Sequence, residues 1–393
     1  MSLFTVTLSM PSWIERGVAN GTYELVGGVV RRADTKQVVA WLREAGAGQQ
    51  VSTGVLNLLP SVGAAASILN LGVTTMGFAV VLQRLHGLEQ RLLAAQAILQ
   101  QIDQKLDIGF YANFRAALDL AVNAFMMTSG ENRKASALQA INRFAEARHH
   151  YTALADAELE RRSQVIDEYL STLALAYVAE ARCYLELEER DTAQRLLEQG
   201  VVVLRSRGER FVAMLLTSNP AIFLHPSLKG QIDLRRLTRV FQWLNPELDE
   251  NAVFDRLRED VFDLARQSRK WIDALPPAVW DVRVDLQGRG VSLPILKRNW
   301  NPKVDLQKRG ISLPGAGRDV ETRVYERLPV VLETVESVIE DVRRFQGYLL
   351  EVQTIRQLGV SFGEWQHVLP SPDFRSDDSG LMCIALSQPL DLV

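Results

Sequence analysis

The sequence has 393 residues, of which 47% are hydrophobic and 23% charged, with a formal net charge of -3 at pH 7. This composition is that of a folded chain, and the small net charge excludes a global electrostatic attraction to nucleic acid or to anionic lipid. Only two cysteines are present, Cys183 and Cys383, which excludes a disulfide framework and favours a reducing compartment. Residues 1–14 lack a basic stretch followed by an apolar core, so we expect no secretory signal.

The first region, residues 1–44, carries the signal of a β-hairpin. Two valine-rich runs, at 25–30 and 38–42, flank the polar turn Ala33-Asp34-Thr35-Lys36. The pair Gly27-Gly28 inside the first run predicts a bulge or a close approach of another backbone. Because a lone hairpin is marginal in water, we expect this one to pack on the rest of the protein.

Residues 45–83 form the charge-free segment, 39 residues without a single Asp, Glu, Lys or Arg. Pro60 divides it, and the second part, 61–82, is about as long as the roughly 20 residues that cross a bilayer as a helix. The candidates for membrane insertion are its large apolar residues: Leu56, Leu58, Leu59, Ile68, Leu69, Leu71, Val73, Met76, Phe78, Val80, Val81 and Leu82.

Three interpretations of the charge-free segment stay open. It is a central helix that the bundle surrounds on all sides, a segment that leaves the folded protein to enter a bilayer, or a constitutive membrane anchor. The pair Gly63 and Ser67, four residues apart, would allow close packing on a neighbouring helix in the first two cases.

Heptad patterns predict two long helices, over 84–107 and 319–358. In the second, Pro329 and Gly347 are sites of a bend. We expect the two helices to pair with each other and to drive assembly through their apolar seams, formed by Leu85, Leu88, Leu92, Leu99, Ile102, Leu106, Val335, Val338, Val342, Phe345 and Leu349.

The middle of the chain, 84–275, is predicted to be a helical bundle, with helices over 114–127, 135–154, 159–188, 192–203 and 253–275. The stretch from Tyr177 to Tyr184, followed by Ala193 and Leu197, resembles one tetratricopeptide repeat. It departs from that pattern at Glu180, where a leucine is usual, and at Gly200. Because no second copy follows at this period, an antiparallel helix pair without a peptide groove is the alternative.

The last third of the chain contains an internal duplication. The motif VDLQ-x-RG-[VI]-SLP occurs at 284–294 and again at 304–314, and it predicts a small β-containing insertion over 276–318. This insertion is interpreted either as a duplicated surface element or as a recognition or oligomerisation arm. The tail, 359–393, ends in an apolar run that we expect to form a strand.

No sequence motif predicts a conventional catalytic site, so an enzyme is not expected. The single GxSxG match, Gly359-Val-Ser361-Phe-Gly363, follows a long helix rather than a strand and is interpreted as a turn that ends that helix. His149 and His150 diverge on a helix and predict a solvated face rather than a metal site. Neither a cofactor nor nucleic-acid binding is implied.

Together these patterns predict a mainly α fold: an elongated multi-helix bundle with coiled-coil-like long helices, an N-terminal β-hairpin and a small β-containing insertion. An apolar head beside long helices resembles the arrangement of α-helical pore-forming toxins, although no motif is shared. The function expected from this resemblance is that of a membrane-perturbing effector. It would be cytoplasmic in its soluble form and membrane-associated when active, with a lipid bilayer and further copies or a helical protein as partners. The alternative is a soluble helical scaffold whose charge-free segment is core.

Overall fold

The computed structural model of the chain describes residues 4–7, 10–44, 78, 81–82, 84–90, 109–161, 166–216, 220–266, 328–367 and 381–391. Over these ranges the protein is mainly α-helical with one antiparallel sheet, which confirms the predicted fold class of an α protein with β elements. The duplicated motif at 284–314 and most of the charge-free segment lie outside the described residues.

The sheet joins the two ends of the described chain. Its strand order is β1-β5-β4-β3-β2, each strand antiparallel to its neighbours. On the second strand of this order, Ile384 pairs with Val6 on one side and with Trp41 on the other. The C-terminal apolar run is therefore a strand, as predicted, and it lies between two N-terminal strands. The strands are β1 (Phe4–Thr7), β2 (Tyr23–Val26), β3 (Val29–Arg32), β4 (Val38–Glu44) and β5 (Leu381–Leu390).

The run at 25–30 is two strands joined by a tight turn, not one strand with a bulge. Gly27 and Gly28 have φ angles of 56° and 82°, and Val26 pairs with Val29 across them. A two-residue hairpin turn of type I′ needs positive φ at both positions, which glycine adopts without steric cost. The second turn, at 33–36, connects β3 to β4 as the sequence predicted.

The sheet has an apolar layer on each face. Helix α1 (Ser12–Ala19) lies on one face, where Ile14 belongs to a small cluster with Leu25, Val30, Val39, Ala40, Leu42 and Cys383. The opposite face contributes Val29, Val38, Trp41 and Ile384 to the main core. A bulge between Val38 and Ala40 lets Val39 and Ala40, adjacent in sequence, both belong to the α1 cluster.

Four helices follow one another through short connections, each packed against the next. The second and fourth of them are longer at both ends than predicted, the first begins earlier than predicted, and the third is shorter than the predicted 159–188. Apolar periodicity marks the buried turns of a helix better than its ends. These helices are α2 (Gly109–Met126), α3 (Gly130–Arg161), α4 (Ile166–Glu186) and α5 (Arg190–Leu216).

Two shorter helices, α6 (Leu234–Leu244) and α7 (Glu250–Arg266), pack against each other after two 3₁₀ turns, Pro220–Leu224 and Pro226–Leu228. Aspartates explain where both helices begin. The side chain of Asp233 accepts a hydrogen bond from the Arg236 backbone N–H, and Asp249 accepts one from Ala252. Such caps satisfy donors that a first helical turn leaves without partners.

The helix that the bundle surrounds on nearly all sides is α4. Of its 21 residues, 17 are buried, including polar Thr172, Glu180 and Arg182. Helices α3 and α5 flank it, and α8 (Leu328–Leu358) also contacts it. The central position of the described bundle, which one interpretation assigned to the charge-free segment, is thus occupied by α4.

Helix α8 runs continuously from Leu328 to Leu358 and packs mainly along α5. Pro329 lies in its first turn, where a missing backbone N–H costs nothing. Gly200 and Gly208 of α5 admit side chains of α8: a Cβ on Gly200 would lie 2.7 Å from the Phe345 ring. The buried surface of α8 is wider than the narrow stripe of a heptad seam. In addition to the seam residues Val335, Val338, Val342 and Phe345, the buried residues of α8 include Leu332, Ile339, Tyr348 and Ile355.

Short α9 (Phe362–His367) follows α8 after a turn at Gly359, whose φ is +69°. Positive φ after the last helical residue is the usual way for a helix to end on glycine. The interpretation of the GxSxG match as a turn that ends the long helix is confirmed.

Candidate functional site

The end of the charge-free segment lies against the helical bundle. Phe78 and residues 81–82 and 84–90 are helical, and we call these described residues the docked segment. Phe78, Val81, Leu85 and Leu88 follow one another at helical spacing and are 8% exposed or less. All four belong to the main core, together with residues of α2, α3 and α4.

Phe78 contacts two different helices. Its ring stacks on that of Phe125 in α2, with the centroids 5.7 Å apart and the planes 5° from parallel. The guanidinium carbon of Arg182, from α4, lies 5.6 Å from the centre of the Phe78 ring. Stacked rings and cation–π contacts add to the burial of apolar surface, so Phe78 is held at one defined position.

Arg182 joins the docked segment to the C-terminal part of the chain. Its guanidinium carbon also lies 5.4 Å from the Phe362 ring, and its Nη2 donates to Glu186 at 2.9 Å. Burial lowers the pKa of Arg182, and the opposing charge of Glu186 limits that shift. The cation therefore lies near the rings of both Phe78 and Phe362 and is paired with a carboxylate one turn further along α4.

The position of Phe362 is set by the start of α9. The Ser361 hydroxyl accepts from the Glu364 backbone N–H at 3.1 Å, and the Ser361 N–H donates to the Glu364 carboxylate at 2.7 Å. This reciprocal pair is a capping box. The Phe362 N–H donates to Glu188, in the α4–α5 connection, at 3.0 Å. Ser361 is thus engaged in capping α9.

Two buried groups hold the rest of α9 on the core. The indole N–H of Trp365 donates to Glu351 of α8 at 2.8 Å, and both side chains are fully buried. The Trp365 ring also meets Trp41 of β4 edge to face, with centroids 5.9 Å apart. Helix α9 therefore connects the sheet, α8 and the Arg182 site.

The 84–90 part of the docked segment is attached by charge as well as by burial. Glu89 forms an ion pair with Arg115 of α2, and the Glu89 side chain is only 16% exposed. Nδ1 of His86 lies 3.6 Å from the same carboxylate, although the imidazole is mostly exposed. This attachment differs from that of Phe78, which has no polar atom in its side chain.

The two departures from the tetratricopeptide pattern have structural reasons. Glu180 accepts a hydrogen bond from Arg148 of α3 at 3.0 Å, and both residues are buried. The Arg148 guanidinium also lies 5.0 Å from the centre of the Tyr177 ring. Gly200 leaves room for the rings of Phe345 and Tyr177, which would each be within 3.0 Å of a Cβ there. Helices α4 and α5 are therefore shaped to fit α3 and α8.

Of the residues predicted to enter a membrane, the structure places Phe78 and Val81 in the core and Leu82 at its edge. The others lie outside the described residues: Leu56, Leu58, Leu59, Ile68, Leu69, Leu71, Val73, Met76 and Val80. Among the described helices, none has the length and apolar character needed to cross a bilayer.

The predicted assembly seams divide in the same way. Leu85, Leu88, Val335, Val338, Val342 and Phe345 are buried within the chain, and Leu349 is partly buried against the same core. Leu92, Leu99, Ile102 and Leu106 lie outside the described residues. The described seam residues thus stabilise the protomer, and assembly through them stays a prediction.

The sequence analysis missed Arg182 and Glu351, and it noted Glu180 only as a departure from the repeat pattern. The available signal was a charged residue within a run of apolar residues on a helix, since such charges are seldom buried without a partner. Over the described ranges, no group of three or more His, Cys, Asp or Glu residues is placed to hold a metal ion. Comparison with protein families, with curated proteins and with solved structures finds no match to this chain.

Proposed function

We propose that this protein perturbs membranes by transferring its charge-free segment from the folded chain into a lipid bilayer. The observation that carries the proposal is the run of 39 residues, 45–83, without a charged side chain, whose last described residues form the first part of the docked segment. A run of this length is sufficient to enter the hydrocarbon layer, where a charged side chain would be costly.

Two features of the bundle support this proposal. The central position of the described bundle is filled by α4, so a helix buried on all sides is already supplied by another part of the chain. In addition, the docked segment is attached at its charged end by the Glu89–Arg115 ion pair. On this proposal the ion pair would hold residues 84–90 on the folded protein while the preceding residues enter the bilayer.

The test is dye release from vesicles made of phosphatidylcholine and phosphatidylglycerol in equal amounts, with the wild type and a Leu71→Asp variant. A charge in the middle of the segment opposes insertion by about 3 kcal/mol, so we expect release by the wild type and its loss in the variant. The matched control is Leu138→Asp. Leu138 is 45% exposed on α3, and an aspartate there should leave both fold and dye release unchanged.

Circular dichroism and thermal unfolding of all three proteins make the result decisive. Loss of release in a folded Leu71→Asp protein supports insertion through the segment. Absence of release by the wild type contradicts the proposal, whatever the variants do.

A second candidate function is a soluble helical scaffold, favoured by the burial of Phe78 and Val81 in the main core. On this hypothesis the whole charge-free segment completes the core. Leu71→Asp then unfolds the protein, instead of leaving it folded and unable to release dye. An aspartate forced into a packed core costs several kcal/mol. A large fall in the melting temperature, together with no dye release by the wild type, would favour the scaffold.

A further inference from the structure

The docked segment has two parts that are attached to the bundle by different kinds of contact. Phe78 and Val81 are held by apolar packing, ring stacking and the face of a cation. Residues 84–90 are held by buried Leu85 and Leu88 and by the ion pair of Glu89 with Arg115. The two parts meet at Arg84, which is the first charged residue after the charge-free segment.

The two parts also differ in what they would leave behind on departure. Removal of the Phe78 ring breaks no hydrogen bond, because this side chain has neither a donor nor an acceptor. Arg182 would keep its ion pair with Glu186 and its contact with the Phe362 ring. Departure of Glu89, in contrast, would separate an ion pair whose carboxylate is largely shielded from water.

From this difference we infer that the contact of Phe78 with Phe125 and Arg182 is autoinhibitory, and we call it the latch. When the charge-free segment is released, this contact breaks and the Glu89–Arg115 ion pair stays intact. The inference rests on the proposed membrane function. It adds where along the chain the residues that leave the bundle end and the residues that stay on it begin. Apolar Phe78, Val81 and Leu82 leave the bundle, and the helical residues 84–90 remain on α2. A charged side chain at Arg84 also sets the limit to which the chain enters hydrocarbon.

The latch is tested with tethers that a reductant opens. Three cysteine pairs are linked by a disulfide-containing bismaleimide in separate variants. The pair Phe78→Cys and Phe125→Cys links the latch residue to α2. The pair Glu89→Cys and Arg115→Cys links α2 to the part of the docked segment that is expected to stay on the bundle. Glu160→Cys with Arg210→Cys replaces an exposed ion pair of 2.8 Å between α3 and α5, and serves as the matched control.

The native cysteines do not interfere with these tethers. Cys183 and Cys383 are both fully buried, and burial raises the pKa of the Cys183 thiol, so the reactive thiolate is not formed there. Each linked protein is compared with its own reduced form in the same dye-release assay.

We expect the 78–125 tether to abolish release until reductant restores it, while the 89–115 and 160–210 tethers leave release unchanged. Release by the linked 78–125 protein would overturn the latch and leave the proposed function standing. Loss of release with the 89–115 tether, but not with the 160–210 tether, would show that the division lies elsewhere and would also overturn it. If the untethered wild type releases no dye, the proposed function itself fails.

A single substitution gives an independent measurement if the cysteine pair folds poorly. Phe78→Leu keeps an apolar side chain and removes the stacked ring and the cation–π contact. Those interactions correspond to roughly a tenfold change in an equilibrium, so we expect dye release about ten times faster than in the wild type. An unchanged or slower rate in a folded variant contradicts the latch.

Discussion

The backbone carbonyl oxygen of Gly27 lies 2.7 Å from the position that a Cβ atom on Gly347 would occupy. The first residue belongs to the β2–β3 turn and the second to the middle of α8, so the sheet touches the helix with no side chain between the two backbones. Gly27 is equally confined, because its own Cβ would lie 2.1 Å from the Arg343 carbonyl oxygen. This contact fixes the sheet on the bundle.

We expect Gly347→Ala to destabilise the protein, although alanine favours helix formation. The added methyl group overpacks a backbone contact at a cost of about 1–3 kcal/mol, against a helix-propensity gain of about 1 kcal/mol. Because the atom met is a backbone oxygen, the cost falls in the upper part of that range, about 2–3 kcal/mol, and the net loss of about 1–2 kcal/mol is measured by urea unfolding. The control is Gly87→Ala, at an exposed helical glycine with no described atom within 4 Å of its Cβ, which should be neutral or stabilising. A Gly347→Ala protein as stable as the wild type would contradict the close contact.

We expect Arg148→Met to destabilise the protein by about 3 kcal/mol at pH 7, because it leaves the buried Glu180 carboxylate without its partner. Burial already raises the pKa of Glu180 above its ordinary 4.5, and Arg148 opposes that shift. Without Arg148 the folded-state pKa rises further. A group whose pKa is higher in the folded than in the unfolded protein stabilises the fold fully at a pH below its unfolded-state pKa. This stabilisation is lost as the pH rises through its folded-state pKa.

The deficit of Arg148→Met relative to the wild type should therefore grow as the pH increases from about 4.5 to 7. Chemical unfolding at several pH values measures it. Arg143→Met, which removes an exposed arginine from the same helix, should change stability by less than about 0.5 kcal/mol at every pH. The double variant Arg148→Met and Glu180→Met should recover most of the loss, and a deficit that ignores pH would refute this account.

We expect Ser361→Ala to cost about 1 kcal/mol through the loss of the α9 cap, and Ser361→Thr to retain most of the wild-type stability. Both are compared by thermal unfolding followed through tryptophan fluorescence, since Trp365 is in α9. A capping serine should also stay unlabelled by a fluorophosphonate reagent. Labelling of Ser361, with no change in stability on its removal, would restore the nucleophile interpretation of the GxSxG match.

The sequence alone was sufficient for the features that depend on neighbouring residues. Apolar residues at helical spacing predicted most helices of the bundle, although not α6, and the polar residues at 33–36 predicted the second hairpin turn. The apolar C-terminal run predicted β5. These are local choices, in which the chain buries apolar side chains on one face and places turn residues where the backbone reverses.

Only the tertiary structure decided which distant residues meet. The position of β5 between β1 and β4, the contact of α8 with α4 and the placement of Arg182 near both Phe78 and Phe362 join parts of the chain separated by 100 residues or more. Periodicity shows that a helix has an apolar face, but many partners can cover such a face equally well. Which partner covers the face depends on complementary shape, including the space that Gly27, Gly200 and Gly347 leave for neighbouring atoms. It also depends on the requirement that each buried charge be paired.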